Sequence, residues 1–426
     1  MKEFPQAVRT LPAQKHVVLA GAGAVHWRFL AHWGQSPWPQ AQLTLVTPAP
    51  QMYFRETLPL ILTGQLSEGA HSYDLEAWCC QRGVRFLADH VTRLDVPNRQ
   101  VRLASGDTLQ FDLLSLDVGT SPIPPQAGLA IDAGRYPSQH GRVICRKPRD
   151  TFVRRWQRRW SDLWNDYRQA ERRDIVSLVV VGGGRSGVEL AFVCQRAMHQ
   201  EHRPVEITLI EQDRILGEAP RNLRRAVLYE LIRRGIEVWE RRRVVGFCDE
   251  PSPAAILDDG TTVPCELALW TPCPHRPRWL TEEDLPMDAH GLPRILPSLQ
   301  SASRTPVFIV GELAELNRTP LPNLSAEAAR QAYVLFHNVG SWLRDPHAPP
   351  PMTYSTRLMT PQTIICGDDT LLRSWGWWTV RSHGLFVRWL NGCLKERRSL
   401  FTASGLVANQ APSVFPPTIA PPASDD

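Results

Sequence analysis

The chain has 426 residues, 43% hydrophobic and 21% charged, so it is neither a disordered polymer nor a single ordinary core, and two or three globular domains are expected. A formal charge of +5 is too mild to point to nucleic acid. Nine cysteines without a CxxC pair, and no HExxH stretch, argue against a dithiol centre and leave no metal site to name. No apolar run follows a basic start and none approaches about 18 uncharged residues, so neither a signal peptide nor a spanning helix is expected. The expected location is the cytoplasm, with the inner membrane face as an extension of it.

Residues 1–14 read as a short arm. His16–Ala20 is an apolar, β-type run fit for a buried parallel sheet, and it leads into a turn carrying Gly21, Gly23 and His26. Such glycines let a backbone approach a pyrophosphate while the next helix presents free N–H groups. His26 stands where a third glycine is usual, and the following strand, Leu43–Val46, ends in Thr47 rather than an acid. Tyr53–Gly64, stiffened by Pro59, is a candidate wrap for a redox ring. Gln100–Ala104 and Thr108–Asp112 bracket Ser105–Asp107 as a hairpin, and Phe111–Asp117 is a strand-like run ending at Val118, Gly119 and Thr120.

Between 148 and 167, Phe152, Trp156, Trp160, Leu163, Trp164 and Tyr167 recur at helical spacing with arginines on the flanks. The plain expectation is an amphipathic helix packed on the domain that follows, with a solvated basic rim. A lipid-facing or partner-facing helix is the alternative.

Val176–Val181 opens a second strand, turn and helix unit through Gly182, Gly184 and Gly187. Its next strand, Val205–Ile210, runs into Glu211, placed to accept from both hydroxyls of an adenosine ribose and to repel a 2′-phosphate. This selects NADH over NADPH. Glu189, in the first turn of the second helix, is a candidate for orienting a nicotinamide or for a structural role at the positive helix end. A hairpin around Asp258–Gly260 and the strand Leu267–Trp270 repeat the order seen in the first unit, and a shared order is stronger than either glycine motif alone.

Val307–Val310 then runs into Gly311 and Glu312, followed by a helical Ala326–Trp342 on which Gln331 is a candidate polar contact to a flavin. Aromatic residues and arginines interleave over 371–398, a composition suited to a membrane surface, a partner protein or a homodimer. Proline and small residues dominate beyond 402, where a disordered tail is expected. The expected fold is α/β, with two Rossmann-like dinucleotide-binding domains and a C-terminal amphipathic region. The domains are a flavin-binding one over 15–125 and 300–345, a connecting helix over 140–172, an NADH-binding one over 174–299 and an interface region over 346–401.

Two nucleotide sites in one chain suggest that one nucleotide reacts with the other, a hydride transfer needing alignment rather than a catalytic base. The segments Val17–His26, Leu58–Gly64, Leu114–Thr120, Val181–Ala191 and Val307–Glu312 resemble the pyridine nucleotide-disulfide oxidoreductase superfamily. Within it the resemblance is to type II NADH dehydrogenase-like flavoproteins, including the domain fused to selenophosphate synthase, whose relatives also carry a histidine near the end of the first glycine motif. The resemblance implies FAD held by Gly21, Gly23, Gly119 and Gly311, NADH held by Gly182, Gly184, Gly187 and Glu211, and quinone reduction at a membrane-facing end.

Three departures stand out. Glu312 replaces an aspartate, Thr47 replaces an acid, and Trp270–Cys273 with Pro272 replaces an alanine-threonine-glycine turn. These changes are compatible with weaker cofactor affinity or with a loss of catalysis. The expected activity is electron transfer from NADH through FAD to a quinone or similar small acceptor. Its rivals are sulfur or selenium redox chemistry using Cys145 or Cys366, and a catalytically silent relative acting as an interaction module.

Overall fold

The computed structural model describes residues 14–53, 58–63, 72–122, 142–146, 149–169, 175–200, 204–249, 252–271, 274–289, 291–316, 319–320, 325–356, 361–368 and 370–383. The chain divides into two compact units, one from residues 1–51, 74–121 and 274–360, the other from 52–73, 122–273 and 361–426.

The first unit opens with β1 (Lys15–Ala20), α1 (His26–Gln35) and β2 (Ala41–Val46). Then come α2 (Leu75–Gln81), whose N-cap Asp74 accepts from Ala77 N at 2.9 Å, and β3 (Arg85–Leu87). An antiparallel meander, β4 (Val91–Asp95), β5 (Gln100–Leu103) and β6 (Thr108–Gln110), precedes β7 (Leu113–Leu116). The inner residues of β1, Val17–Ala20, and all of β7 are buried, as befits central strands of a parallel sheet, with Ser115 the one polar residue of β7.

The second unit repeats this plan. After β8 (Val143–Cys145), α3 (Arg149–Gln169) packs inward: Phe152, Val153, Trp156, Trp164 and Tyr167 are buried, and Trp156 Nε1 donates to Leu62 O at 3.2 Å. That is the packed amphipathic helix expected from its spacing. Next come β9 (Val176–Val181), α4 (Arg185–Gln200), β10 (Val205–Glu211), α5 (Arg221–Arg233) and β11 (Ile236–Glu240). A second meander, β12 (Val244–Cys248), β13 (Ala254–Leu257) and β14 (Thr262–Pro264), leads to β15 (Leu267–Trp270). The parallel sheet has the order β8-β15-β9-β10-β11.

The chain then returns to the first unit. Strand β16 (Val307–Ile309) pairs with β7 and completes a parallel sheet of order β16-β7-β1-β2-β3, followed by α6 (Ser325–Arg344). Residues 274–299, expected in the nucleotide domain that precedes them, pack instead with the first unit. Backbone bonds from Ile295 N to Glu315 O (3.0 Å) and from Ile309 N to Leu299 O (2.9 Å) hold them there. The C-terminal region also begins later than expected. Tyr354 is buried in the first unit with its hydroxyl donating to Glu327 at 2.6 Å.

From 361 onward the chain belongs to the second unit, where β17 (Gln362–Ile365), β18 (Thr370–Trp375) and β19 (Trp378–His383) form an antiparallel sheet. Trp375 pairs with Trp378 across a two-residue loop whose first residue, Gly376, has φ +70°, a conformation glycine takes without steric cost. The amphipathic character expected over 371–398 is thus carried by a β-hairpin as far as 383. Leu371 and Leu372 are buried, whereas Trp377 and Trp378 are 83% and 74% exposed. Residues 384–398, the arm 1–13 and the tail 402–426 lie outside the described residues. Among the described residues no helix is long and apolar enough to cross a membrane.

Candidate functional site

Each parallel sheet reverses its strand order at one seam, between β1 and β7 in the first unit and between β9 and β15 in the second. Loops at the carboxyl ends of those strands therefore adjoin, which is where open α/β sheets bind ligands.

In the second unit the three glycines have separate physical tasks. Gly182 has φ +101°, and a Cβ there would press on Thr271 Oγ1 at 2.6 Å. Gly187 is a packing glycine, since a Cβ would overlap the Gly182 carbonyl oxygen. A Cβ on Gly184 would meet nothing within 4 Å, so protein packing does not require glycine there. The space beside it is open, as a cradle for a dinucleotide backbone must be. Glu211 closes the far side: Oε2 accepts from Gly183 N at 2.5 Å and Oε1 from Asp213 N at 2.9 Å. Thr271, which the sequence did not single out, donates to Val181 O (2.7 Å) and Gly182 O (3.1 Å) and fixes the loop. Pro272 and Cys273 lie outside the described residues.

The first unit shares with the second a positive-φ glycine directly after its leading strand. Gly21 has φ +90°, Gly119 φ +67° and Gly311 φ +70°. Glu312 accepts from Thr120 Oγ1 at 3.0 Å, joining the loop after β7 to the loop after β16. Gln331 is fully buried and accepts from Gly311 N at 2.9 Å, so α6 positions that loop.

His26 points inward rather than toward the cradle. Its Nδ1 lies 2.7 Å from Gly21 O and its Nε2 2.8 Å from Ser115 Oγ. A carbonyl only accepts, so Nδ1 carries the proton and Nε2 takes the serine's. Burial holds the imidazole pKa below its usual value, which keeps the ring neutral. The ring fills the seam that a third glycine would otherwise close.

One group at this site was not legible as functional. Asp117 is buried, and its Oδ2 accepts from Val25 N (2.9 Å) and His26 N (3.0 Å), the first free donors of α1. The signal available was the repeat itself, in which Asp117 follows β7 as Thr271 follows β15.

Three other candidates make contacts of their own. Thr47 is buried, with its N–H bonded to Leu87 O at 3.1 Å. Pro59 belongs to the second unit, buried in the first turn of the short helix Leu58–Leu62, where its carbonyl accepts from Thr63 N and Oγ1. Residues 54–57 and 64 of the Tyr53–Gly64 segment lie outside the described residues. Glu189 is 7% exposed and accepts from Ile365 N, with Arg185 Nε 3.4 Å away, so its carboxylate ties α4 to β17.

The two candidate thiols are buried. Cys145 and Cys366 both sit in apolar cores, and burial raises the first to about 11 and pushes the second higher still.

An Arabidopsis thaliana protein, internal alternative NAD(P)H-ubiquinone oxidoreductase A1, mitochondrial, is 30% identical over 179 residues, 39% of this chain and 34% of its own length. The match thus spans about a third of that plant relative. Demethylphylloquinone reductase NdbB of a Synechocystis species is 24% identical over 312 residues, 71% of this chain and 72% of its own. NDH2 from Plasmodium falciparum in complex with NADH superposes with a TM-score of 0.73 at 11% identity, covering 92% of this chain and 97% of that one. Sulfide:quinone oxidoreductase from Aquifex aeolicus gives 0.70 at 15% identity, covering 91% and 92%. Both structural likenesses establish the fold. The pattern of the pyridine nucleotide-disulphide oxidoreductase family matches residues 15–332, through both glycine cradles, and the chain belongs to that family.

Proposed function

We propose that the chain is a flavin-dependent NADH oxidoreductase that passes electrons to a quinone or similar small acceptor. The observation that carries this reading is the second cradle, open at Gly184 and closed by the Glu211 carboxylate. Gly182, Gly184 and Gly187 would admit the NADH diphosphate, and Glu211 would accept from the ribose hydroxyls and reject a 2′-phosphate.

In the first unit Gly21, Gly23, Gly119, Thr120, Gly311 and Glu312 would hold FAD. The positive-φ glycines and the Thr120–Glu312 bond fit that group, although Asp117 already occupies two of the helix donors. When bound, FAD supplies the ability to accept hydride from NADH and release electrons onward. His26 locks the first loop, Gln331 holds Gly311 in place, and Thr47, Pro59 and Glu189 take supporting rather than reacting roles. The names of the plant and cyanobacterial relatives favour a quinone. The buried thiols of Cys145 and Cys366 favour it over sulfur or selenium chemistry.

Trp377 and Trp378, beside Arg373 and Arg381, would supply peripheral contact with a membrane surface, placing the protein at the inner membrane face; a homodimer contact is the other use of this surface. The finer likeness to domains fused with selenophosphate synthase rests on His26 in the first turn.

The test is anaerobic spectroscopy on the full chain reconstituted with FAD. NADH should bleach the flavin absorbance and a soluble quinone should restore it. Flavin that stays oxidised under excess NADH would remove this reading.

A further inference from the structure

Asp117 supplies what the N-terminus of α1 lacks in its own sequence. Val25, at the N-cap, offers no side-chain acceptor, and the first turn of α1 holds no acid. Asp117, from the far side of the sheet's switch point, brings a carboxylate to Val25 N and His26 N instead. An anion at a helix N-terminus is stabilised by the free donors and by the helix dipole, the same two terms that hold a nucleotide diphosphate there.

The space this carboxylate fills is also the space that glycines usually clear for a diphosphate. A Cβ on Gly23 would overlap the Asp117 carboxylate, and one on Gly311 would come within 2.5 Å of its Oδ1. Gly23 is the second glycine of its turn, as Gly184 is of the other, and a Cβ on Gly184 meets nothing. At the position matching Asp117, Thr271 turns its hydroxyl to the loop carbonyls Val181 O and Gly182 O. One repeat has an open cradle and the other a cradle filled by its own anion.

We propose that Asp117 is a built-in anionic cap on the first cradle, which the diphosphate of an incoming flavin nucleotide must displace, so that this residue sets how weakly and how reversibly the chain holds FAD. The inference rests on the assignment of FAD to this unit. Two like charges cannot share the donors, and the buried carboxylate must swing away before the diphosphate takes its place. The cap also stabilises the flavin-free protein, because it satisfies N–H groups that are otherwise left buried and unbonded.

The test compares the full-length protein with D117T, which carries the residue type of the second cradle, and with D117N, which keeps the shape and removes the charge. FAD is titrated into each flavin-free protein by fluorescence quenching, and melting is followed with and without FAD. NADH binding at the second cradle reports that each variant is folded. D117T is expected to bind FAD about tenfold more tightly or better, with D117N intermediate. The flavin-free D117T should melt lower and show a larger FAD-induced rise. Equal or weaker FAD binding by both variants, with NADH binding intact, would overturn the cap and leave the flavin assignment standing. Failure of all three proteins to bind FAD would overturn both.

Discussion

The Gly183 N–H donates to Glu211 Oε2 at 2.5 Å, so the acid that would read the ribose also braces the glycine turn that would hold the diphosphate. Glu211→Gln removes the charge while keeping one acceptor oxygen. Hydrogen bonds to a charged group contribute about 1.5–3 kcal/mol, so NADH affinity should fall by about tenfold or more. The preference for NADH over NADPH should narrow as well. Steady-state kcat/KM for both nucleotides checks this, and an unchanged ratio would remove the ribose role.

Gly184 and Gly187 should respond differently to alanine. A methyl at 184 meets no protein atom within 4 Å, so Gly184→Ala should leave Tm nearly unchanged while impeding the nucleotide. At 187 the methyl overlaps the Gly182 carbonyl, so Gly187→Ala should lower stability by about 1 kcal/mol or more. Thermal melts paired with NADH titration separate the two. Equal stability losses would contradict the division of tasks.

His26 predicts a pH dependence. Burial holds its pKa below the ordinary imidazole value of about 6.5, so the unfolded chain binds a proton that the native ring refuses. Stability from this residue is therefore fully present above about pH 6.5 and is lost as pH falls from there through the folded value. His26→Ala should flatten that part of the stability curve. It should also cost about 1–3 kcal/mol at neutral pH, from the unpaired Gly21 carbonyl and Ser115 hydroxyl. Denaturant melts between pH 5 and 8 measure both effects.

The buried cysteines make a negative prediction. Cys145→Ala combined with Cys366→Ala should retain NADH-to-quinone turnover, and native thiol labelling at both positions should be slow, because neither forms a thiolate readily. Loss of turnover with the fold intact would revive a sulfur mechanism.

The hairpin makes a positive one. Trp377→Ser with Trp378→Ser removes two exposed indoles from a loop and strand end that carry little packing. Sedimentation with anionic lipid vesicles should drop several-fold while the melting temperature holds. Unaltered vesicle binding would dismiss this surface as the membrane contact.

Much of the architecture was legible because it rests on local chemistry. Gly21 and Gly182 take positive φ directly after β1 and β9, and the strands around them are buried and largely apolar, so turn, helix and repeat order all show in the sequence. What depends on long-range contact did not show. Asp117 reads as the end of a strand until β7 is known to lie beside β1. Glu189 reads as a cradle residue until β17 presents Ile365 N. Residues 274–299 carry no helical or alternating pattern, since isolated bridges and single backbone bonds place them. The C-terminal segment hid a β-hairpin because its aromatic residues serve exposure rather than burial.

The return of β16 to the edge of β7 governs how the protein must be made. On the ribosome, β7 emerges long before its outer neighbour, and the entire second parallel sheet is synthesised in between. Throughout that interval one flank of the nascent first sheet offers bare N–H and C=O groups to any passing strand. Fragments ending before 307 keep that flank permanently bare and should aggregate, so dissecting the protein into separately produced halves calls for splicing 274–360 back onto the N-terminal piece.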